Sequence, residues 1–111
     1  MEIVKNSKGM DRKKAYQLTH AMSTRKMQDA VDSILKIDAW VLYTDVDSKT
    51  GEVKDVLAIE SDGEIFGTIS KTFLREFTNI VDAFGDDPEL SIRVVAGTSK
   101  AGRQFITCEI V

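Results

Sequence analysis

The order of its hydrophobic periodicities constrains the fold of this chain more than any other feature. Three stretches alternate apolar and polar residues as β-strands do, one stretch then has the helical period, and two more alternating stretches follow. The predicted strands span 34–45, 52–60, 64–69, 89–96 and 103–111, and the predicted helix spans 70–84. This order predicts a strand-dominated α+β domain.

Turn and cap residues support these boundaries. Asp62-Gly63 has the composition of a tight β-hairpin turn. Ser70 is a suitable N-cap for the helix, and Gly85 is suited to its C-terminal end. The elements are therefore short and closely connected.

Three strands, a helix and two strands is the order of the OB-fold, a small five-stranded barrel, although other α+β folds share it. Alternate residues of each strand would fill such a barrel, and the helix would close one end. We therefore predict a five-stranded OB-like barrel (β-β-β-α-β-β). The predicted inward residues are Leu35, Ile37, Val41, Val53, Leu57, Ile59, Leu90, Ile92, Val94, Ile106, Cys108 and Ile110.

The N-terminal segment is less regular. Residues 1–10 have no clear period, and they predict a flexible basic arm that includes at most a short strand at Glu2–Lys5. A single OB-like domain would then occupy residues 11–111, within the usual size of one domain. It would begin with a short helix from Arg12 to about His20, capped by Asp11.

Residues 21–33 allow two interpretations. Met27, Val31 and Leu35 have helical spacing, which would extend a second helix from Thr24 to Leu35. Alternatively, residues 29–33 form a turn and the next strand begins at Ile34. The clean alternation after Ile34 favours the turn.

Charge is distributed unevenly along the chain. Residues 1–28 contain seven basic and two acidic residues (+5), whereas the remaining residues contain eight basic and sixteen acidic ones (−8). Such asymmetry is typical of a protein whose basic end meets an anionic partner, or simply of a solvated helix face.

The sequence contains little evidence of a catalytic or metal-binding site. His20 is the only histidine, and the single Cys108 lies on the apolar face of a predicted strand. The Asp45–Gly51 loop has Thr50 where a calcium-binding loop needs its glycine. We therefore predict a protein that is not an enzyme and that uses no metal or cofactor.

Two further observations predict the cellular compartment of the protein. A lone cysteine cannot form an internal disulfide, which is typical of a reducing cytoplasm. The longest apolar stretch, Ala39–Tyr43, is far shorter than a membrane span. We therefore predict a cytoplasmic protein.

Two aromatic residues lie out of phase with the predicted inward residues. Trp40 and Phe105 would point outward, and Arg93 would share a face with Phe105 if the last two strands pair. Exposed aromatic faces beside cations can stack bases of single-stranded nucleic acid. Alternatively, a terminal helix covers Trp40, or Phe105 packs beneath that helix.

Several cations could hold phosphates around these rings. Lys100 and Arg103 flank the turn between the last two strands, unless they are merely a solvated hairpin tip. The complete set of candidate nucleic-acid-binding residues is Trp40, Arg93, Lys100, Arg103, Phe105, Lys36, Arg12, Lys13 and Lys14.

Three stretches carry a resemblance to a known family: Trp40–Thr44, Asp62–Arg75 and Gly97–Cys108. In these stretches, about a quarter of its length, the chain resembles small single-stranded DNA-binding proteins of phages and prophages of Gram-positive bacteria. The similarity runs from about Met27 onward, and the basic N-terminal segment is less typical of the family. The resemblance implies a protein that coats single strands during phage replication or recombination.

An alternative function depends on the acidic surface between residues 45 and 89. Its carboxylates could imitate nucleic-acid charge and bind a host replication or defence protein. In either case phage or host replication and recombination proteins are expected partners. Exposed strand edges further suggest a homo-oligomer.

Overall fold

The computed structural model of this chain describes residues 2–85 and 87–111, so Met1, the first residue of the predicted arm, lies outside it. The described residues form eight strands and two α-helices, which confirms the strand-dominated α+β class. In chain order these are β1 (Glu2–Asn6), α1 (Arg12–His20), β2 (Arg25–Lys26), a 3₁₀ turn (Met27–Ala30), β3 (Ile34–Lys36), β4 (Ala39–Val46), β5 (Val53–Ser61), β6 (Glu64–Thr68), α2 (Lys71–Phe84), β7 (Ser91–Thr98) and β8 (Gln104–Ile110).

The strands form two sheets. The large sheet has the order β1-β4-β5-β6-β2, in which β2 and β6 are parallel and the other pairs antiparallel. The small sheet has the antiparallel order β3-β7-β8. The two sheets do not close into one barrel, so the five-stranded OB-like barrel is not confirmed.

A bend divides the predicted first strand between the two sheets. The Ile37 N–H donates to the Leu90 carbonyl at 2.9 Å, beside the small sheet. The next N–H, that of Asp38, donates to the Glu60 carbonyl of β5 at 3.0 Å, in the large sheet. The period-two alternation therefore changes phase at this point: β3 turns the odd-numbered Leu35 toward the main core, whereas β4 turns the even-numbered Trp40 and Leu42 toward it.

The main core lies between the two sheets and α2. Phe73, Phe77 and Ile80 of α2 form its helical side, and Ile59 and Ile92 contribute from the two sheets. The sequence predicts an inward helical stripe of Phe73, Phe77, Ile80, Val81 and Phe84. Phe73 and Phe77 are fully buried, but Phe84, the last residue of α2, is 47 % exposed, so that part of the prediction is wrong. α2 thus holds both sheets against one apolar layer.

A second, smaller cluster covers the other face of the large sheet. Leu18 of α1 packs on Ala39, Val41 and Ala58, and it is 2 % exposed. The strand β4, which lies between β1 and β5, is therefore buried on both faces at residues 39–41, which a strand of a simple barrel is not.

Most of the predicted inward residues are buried, and the exceptions lie at strand ends. Val53 is 62 % exposed and Ile110 is 45 % exposed, so both predictions are wrong; they are the first residue of β5 and the last residue of β8. Ile37 and Ile106 are half-buried against the core. Val41 is fully buried, but under α1 rather than in the main core. Those buried in the main core are Leu35, Leu57, Ile59, Leu90, Ile92, Val94 and Cys108.

Local caps and turns agree with the sequence. Asp11 Oδ1 accepts from the Lys14 N–H at 2.7 Å, and Ser70 Oγ accepts from the Phe73 N–H at 3.3 Å, so both predicted N-caps are confirmed. Asp62 and Gly63 have φ of 51° and 80°, as a type I′ hairpin turn requires.

The predicted N-terminal elements are also present in part. The short strand predicted at Glu2–Lys5 is confirmed by β1, which pairs with β4. The second helix considered for residues 24–35 does not form, and a strand begins at Ile34 as favoured. No helix in the described part of the chain is long and apolar enough to cross a membrane.

Candidate nucleic-acid interface

A cleft of about 900 Å³ lies between the edges of the two sheets. β2 is the last strand of the large sheet and β8 is the last strand of the small one, so neither edge is paired on the cleft side. The residues that line it include 24–26 of the β2 segment, 67–70 at the junction of β6 and α2, and 104–106 of β8. The cleft is the gap that a closed barrel would seal.

Phe105 supplies an aromatic surface to this cleft. It is half-buried, and it lies directly opposite Gly97 in the β7–β8 pair. The ring rests on the strand at Gly97, since a Cβ added there would be 2.5 Å from the ring Cζ. Glycine at this position therefore lets the ring lie close against the backbone, supported from one side.

The β7–β8 turn contains two cations within five residues of Phe105 along the chain. The Ser99 N–H donates to the Arg103 carbonyl at 2.8 Å, and Gly102 has φ of 80°, as a three-residue hairpin loop requires. Lys100 and Arg103 are both exposed, and neither has an ion pair with a residue that the structure describes. Their charges are therefore available to an anionic partner.

The opposite wall carries two cations that sequence reasoning placed in the basic segment but not in the site. The Arg25 guanidinium is 3.0 Å from Glu64 Oε2, and its Cζ lies 5.3 Å from the ring centroid of Phe66. Lys26 is exposed and forms no ion pair within residues 2–85 and 87–111. The parallel pairing of β2 with β6 places Arg25 and Lys26 at this wall of the cleft. No local sequence pattern predicts that pairing.

Two other predicted residues share a face with Phe105. The register of β3, β7 and β8 puts Lys36, Arg93 and Phe105 on the outer face of the small sheet. The predicted common face of Arg93 and Phe105 is thereby confirmed. Arg93 is four residues from Gly97 along β7, about 13 Å away, and its Nη1 lies 3.4 Å from Glu109 Oε1.

Trp40 does not belong to this surface. The prediction that it points outward is wrong, because the bend before β4 turns its side chain into the core. Trp40 is 8 % exposed, and its ring meets Phe77 edge-on at 5.4 Å between centroids. A ring covered in this way offers no face to a base.

The α1 cations lie apart from the cleft lining. α1 crosses the outer face of the large sheet, and the Lys14 ammonium is 2.7 Å from Glu60 Oε2 of β5. Lys14 thus helps to hold the helix to the sheet. Arg12 and Lys13 are exposed, with no ion pair to any described residue.

The single thiol of the chain, Cys108, is buried in the main core. Burial, with a smaller contribution from the negative charge of Glu76, raises the pKa of Cys108 to about 12, so it is a thiol at neutral pH. Within residues 2–85 and 87–111 no group of three or more His, Cys, Asp or Glu side chains could hold a metal ion.

Comparison with known proteins identifies a family. A family model described as "Phage Single-stranded DNA-binding protein", of the Phi29 type, matches residues 9–111. Neither the curated proteins nor the solved structures contain a significant match to the chain. The matched residues include the whole cleft and both α-helices, and only β1 lies before them.

Proposed function

The chain belongs to the phage single-stranded DNA-binding protein family, and from that premise we propose that it coats single-stranded DNA with little sequence preference. Binding of single-stranded DNA is the function that the family carries. The coating role during phage replication or recombination, and the residues that perform it, are the parts that we propose.

The observation that carries the proposal is the Phe105 ring held against Gly97 at the mouth of the cleft. One face of the ring is supported by the strand, so a base can stack on the ring without first ordering it. Stacking is tolerant of sequence, because every base has a π-face. A surface of this kind suits a protein that must bind any single strand.

Unpaired cations on both sides of the cleft support the same function. Lys26 stands on the β2 wall, and Lys100 and Arg103 stand in the turn beside Phe105. A strand that stacks on Phe105 would have its phosphates between these two groups. Arg93 and Lys36 extend the positive surface along the small sheet, although Glu109 partly neutralises Arg93.

An OB-like description of the domain is part of this proposal. β3 with β4, then β5, β6, α2, β7 and β8 follow the strand and helix order of an OB-fold. The pairing of β3 with β7 and of β4 with β5 is compatible with a barrel that is open between β2 and β8. The opening would then be the DNA-binding cleft.

The remaining parts of the proposal concern the mode of action, the cellular location, the oligomeric state and the partners. We propose that the protein acts by binding alone, in the cytoplasm of the bacterial host. It would act as a homo-oligomer alongside phage or host replication and recombination proteins. Several copies on one strand would raise the effective affinity without any new contact.

Substitution of Phe105 tests the proposal. Phe105→Leu keeps the volume but removes the aromatic face, so we expect affinity for labelled oligo(dT) to fall by about 1–3 kcal/mol. Fluorescence anisotropy at low salt measures the change. Phe105→Tyr is the matched control, and it should bind as the native protein does.

Salt dependence tests the cations. On a single strand the slope of log K against log salt changes by about 0.7 for each phosphate contact. The double substitution Lys100→Gln and Arg103→Gln should therefore flatten the slope by about 1.4. Lys49→Gln, in the β4–β5 loop and outside the cleft lining, should leave the slope unchanged. Native protein that binds no oligo(dT) even at low salt would contradict the proposed function.

A further inference from the structure

α1 presents an ordered aromatic pair to solvent. Tyr16 and His20 stack with ring centroids 4.2 Å apart and planes 13° apart, and Tyr16 is 64 % exposed. The imidazole is held in place, because its Nδ1 lies 3.1 Å from the Tyr16 carbonyl oxygen and 2.8 Å from Thr19 Oγ1. The pair contributes nothing to the cluster beneath α1, which Ala15 and Leu18 face.

Two cations, Arg12 and Lys13, lie on the N-terminal side of this pair, one turn before Tyr16 in the same helix. Arg12, Tyr16 and His20 are spaced by four residues and form one stripe about 12 Å long, with Lys13 beside it. α1 contains no acidic residue, and Arg12 and Lys13 have no ion pair with the described residues. Aromatic faces between unpaired cations are the combination that single-stranded DNA requires.

The stripe also lies close to the cleft along the chain. His20 and Arg25 are five positions apart in the sequence, so their Cα atoms are at most about 18 Å apart. Thr24, Arg25 and Lys26 line the cleft. A strand that leaves the cleft on the β2 side therefore has a short path to the C-terminal end of α1.

We propose that the solvent face of α1 is a second part of the DNA-binding surface, in which the Tyr16–His20 pair stacks a base and Arg12 and Lys13 hold phosphates. This inference rests on the proposed function, because it extends the path of the same strand. It gives the basic N-terminal helix a role that a solvated charged face does not have.

Oligonucleotides of two lengths test the inference. An oligo(dT) of about 4 nucleotides fills the cleft alone, and one of about 16 nucleotides reaches α1, these being the limits of site size for one OB module. Tyr16→Ala should weaken binding of the long oligonucleotide about 5- to 100-fold. It should leave the short one unaffected, whereas Phe105→Leu should weaken both.

Two controls separate stacking and charge from structural effects. Tyr16→Phe keeps the ring and should bind both lengths normally. The double substitution Arg12→Gln and Lys13→Gln should flatten the salt slope for the long oligonucleotide by about 1.4, and Lys14→Gln, whose ammonium is committed to Glu60, should flatten it less. Thermal unfolding confirms that each variant is folded.

The outcomes distinguish the two proposals. If Tyr16→Ala binds the long oligonucleotide normally while Phe105→Leu does not, the inference is wrong and the proposed function stands. An equal loss for both lengths also overturns the inference, since the inference predicts that only the long strand extends from the cleft to α1. If the native protein binds neither length, the proposed function fails and the inference fails with it.

Discussion

At the scale of single residues, the pair of Gly97 and Phe105 shows how an absent side chain shapes a binding surface. Glycine within a strand usually weakens the strand, because it has no side chain to pack and loses more entropy on folding. Here the ring of Phe105 occupies the space that a Cβ would fill. The glycine thereby sets both the height and the tilt of the proposed stacking surface.

Gly97→Ala tests this arrangement. The new Cβ would lie 2.5 Å from the ring Cζ, so the ring must move off the strand. Because the far end of the ring can swing outward, we expect little loss of stability but a clear loss of affinity for oligo(dT). Adding Gly97→Ala to Phe105→Leu should cause no further loss of affinity. A fully additive double variant would contradict the arrangement.

At the scale of elements, α1 is attached to the large sheet through a small cluster of its own. Leu18 is the largest side chain of the helix in this cluster, and Val41 and Ala58 receive it. The ion pair between Lys14 and Glu60 adds a second connection, but it contributes little to the stability of the fold because it is partly exposed. Packing of Leu18 therefore does most to hold α1, and with it the Tyr16–His20 pair, in place.

Leu18→Ala should reveal this attachment. Removal of a buried leucine side chain costs about 2–5 kcal/mol of unfolding free energy, and denaturant unfolding measures the change. Tyr16→Ala on the exposed side of the same helix is the matched control, with an expected change within about 0.5 kcal/mol. Similar values for both variants would contradict the burial pattern.

Elements whose signals are local could be predicted from sequence. α1, α2 and the β5–β6 and β7–β8 hairpins agree with their predicted bounds within two residues, because caps and turn glycines define them. The bend at Ile37 and Asp38 could not be predicted, since it depends on two hydrogen bonds to distant strands. That single phase change explains why Phe105 lies on the predicted face and Trp40 does not.

At the scale of the whole molecule, the cleft depends on pairings between segments far apart in sequence. β2, the wall that carries Arg25 and Lys26, is only two residues long and joins the large sheet in parallel to β6. No sequence period can be recognised in two residues. The sequence therefore predicted one wall of the candidate site, the β7–β8 hairpin, and missed the other.

Trp40 provides a probe of the whole fold. Because its ring is covered in the core and lies against Phe77, we expect its fluorescence emission to change little when saturating oligo(dT) is added. Denaturant should shift the emission to longer wavelength as the core opens. Anisotropy of a labelled oligonucleotide, measured in the same samples, serves as the control for binding. Quenching in proportion to DNA occupancy would contradict the burial of Trp40.

The segment that contains β1, α1 and β2 has a consequence for solubility. β1 and β2 are the two outermost strands of the large sheet, and they enclose the meander β4-β5-β6 between them. Without residues 2–26, the unpaired N–H and C=O groups of β4 and β6 would both be open to strands of other chains, a common route to aggregation. The N-terminal segment therefore covers the edges of both β4 and β6, and a truncated chain would be exposed to intermolecular β-pairing.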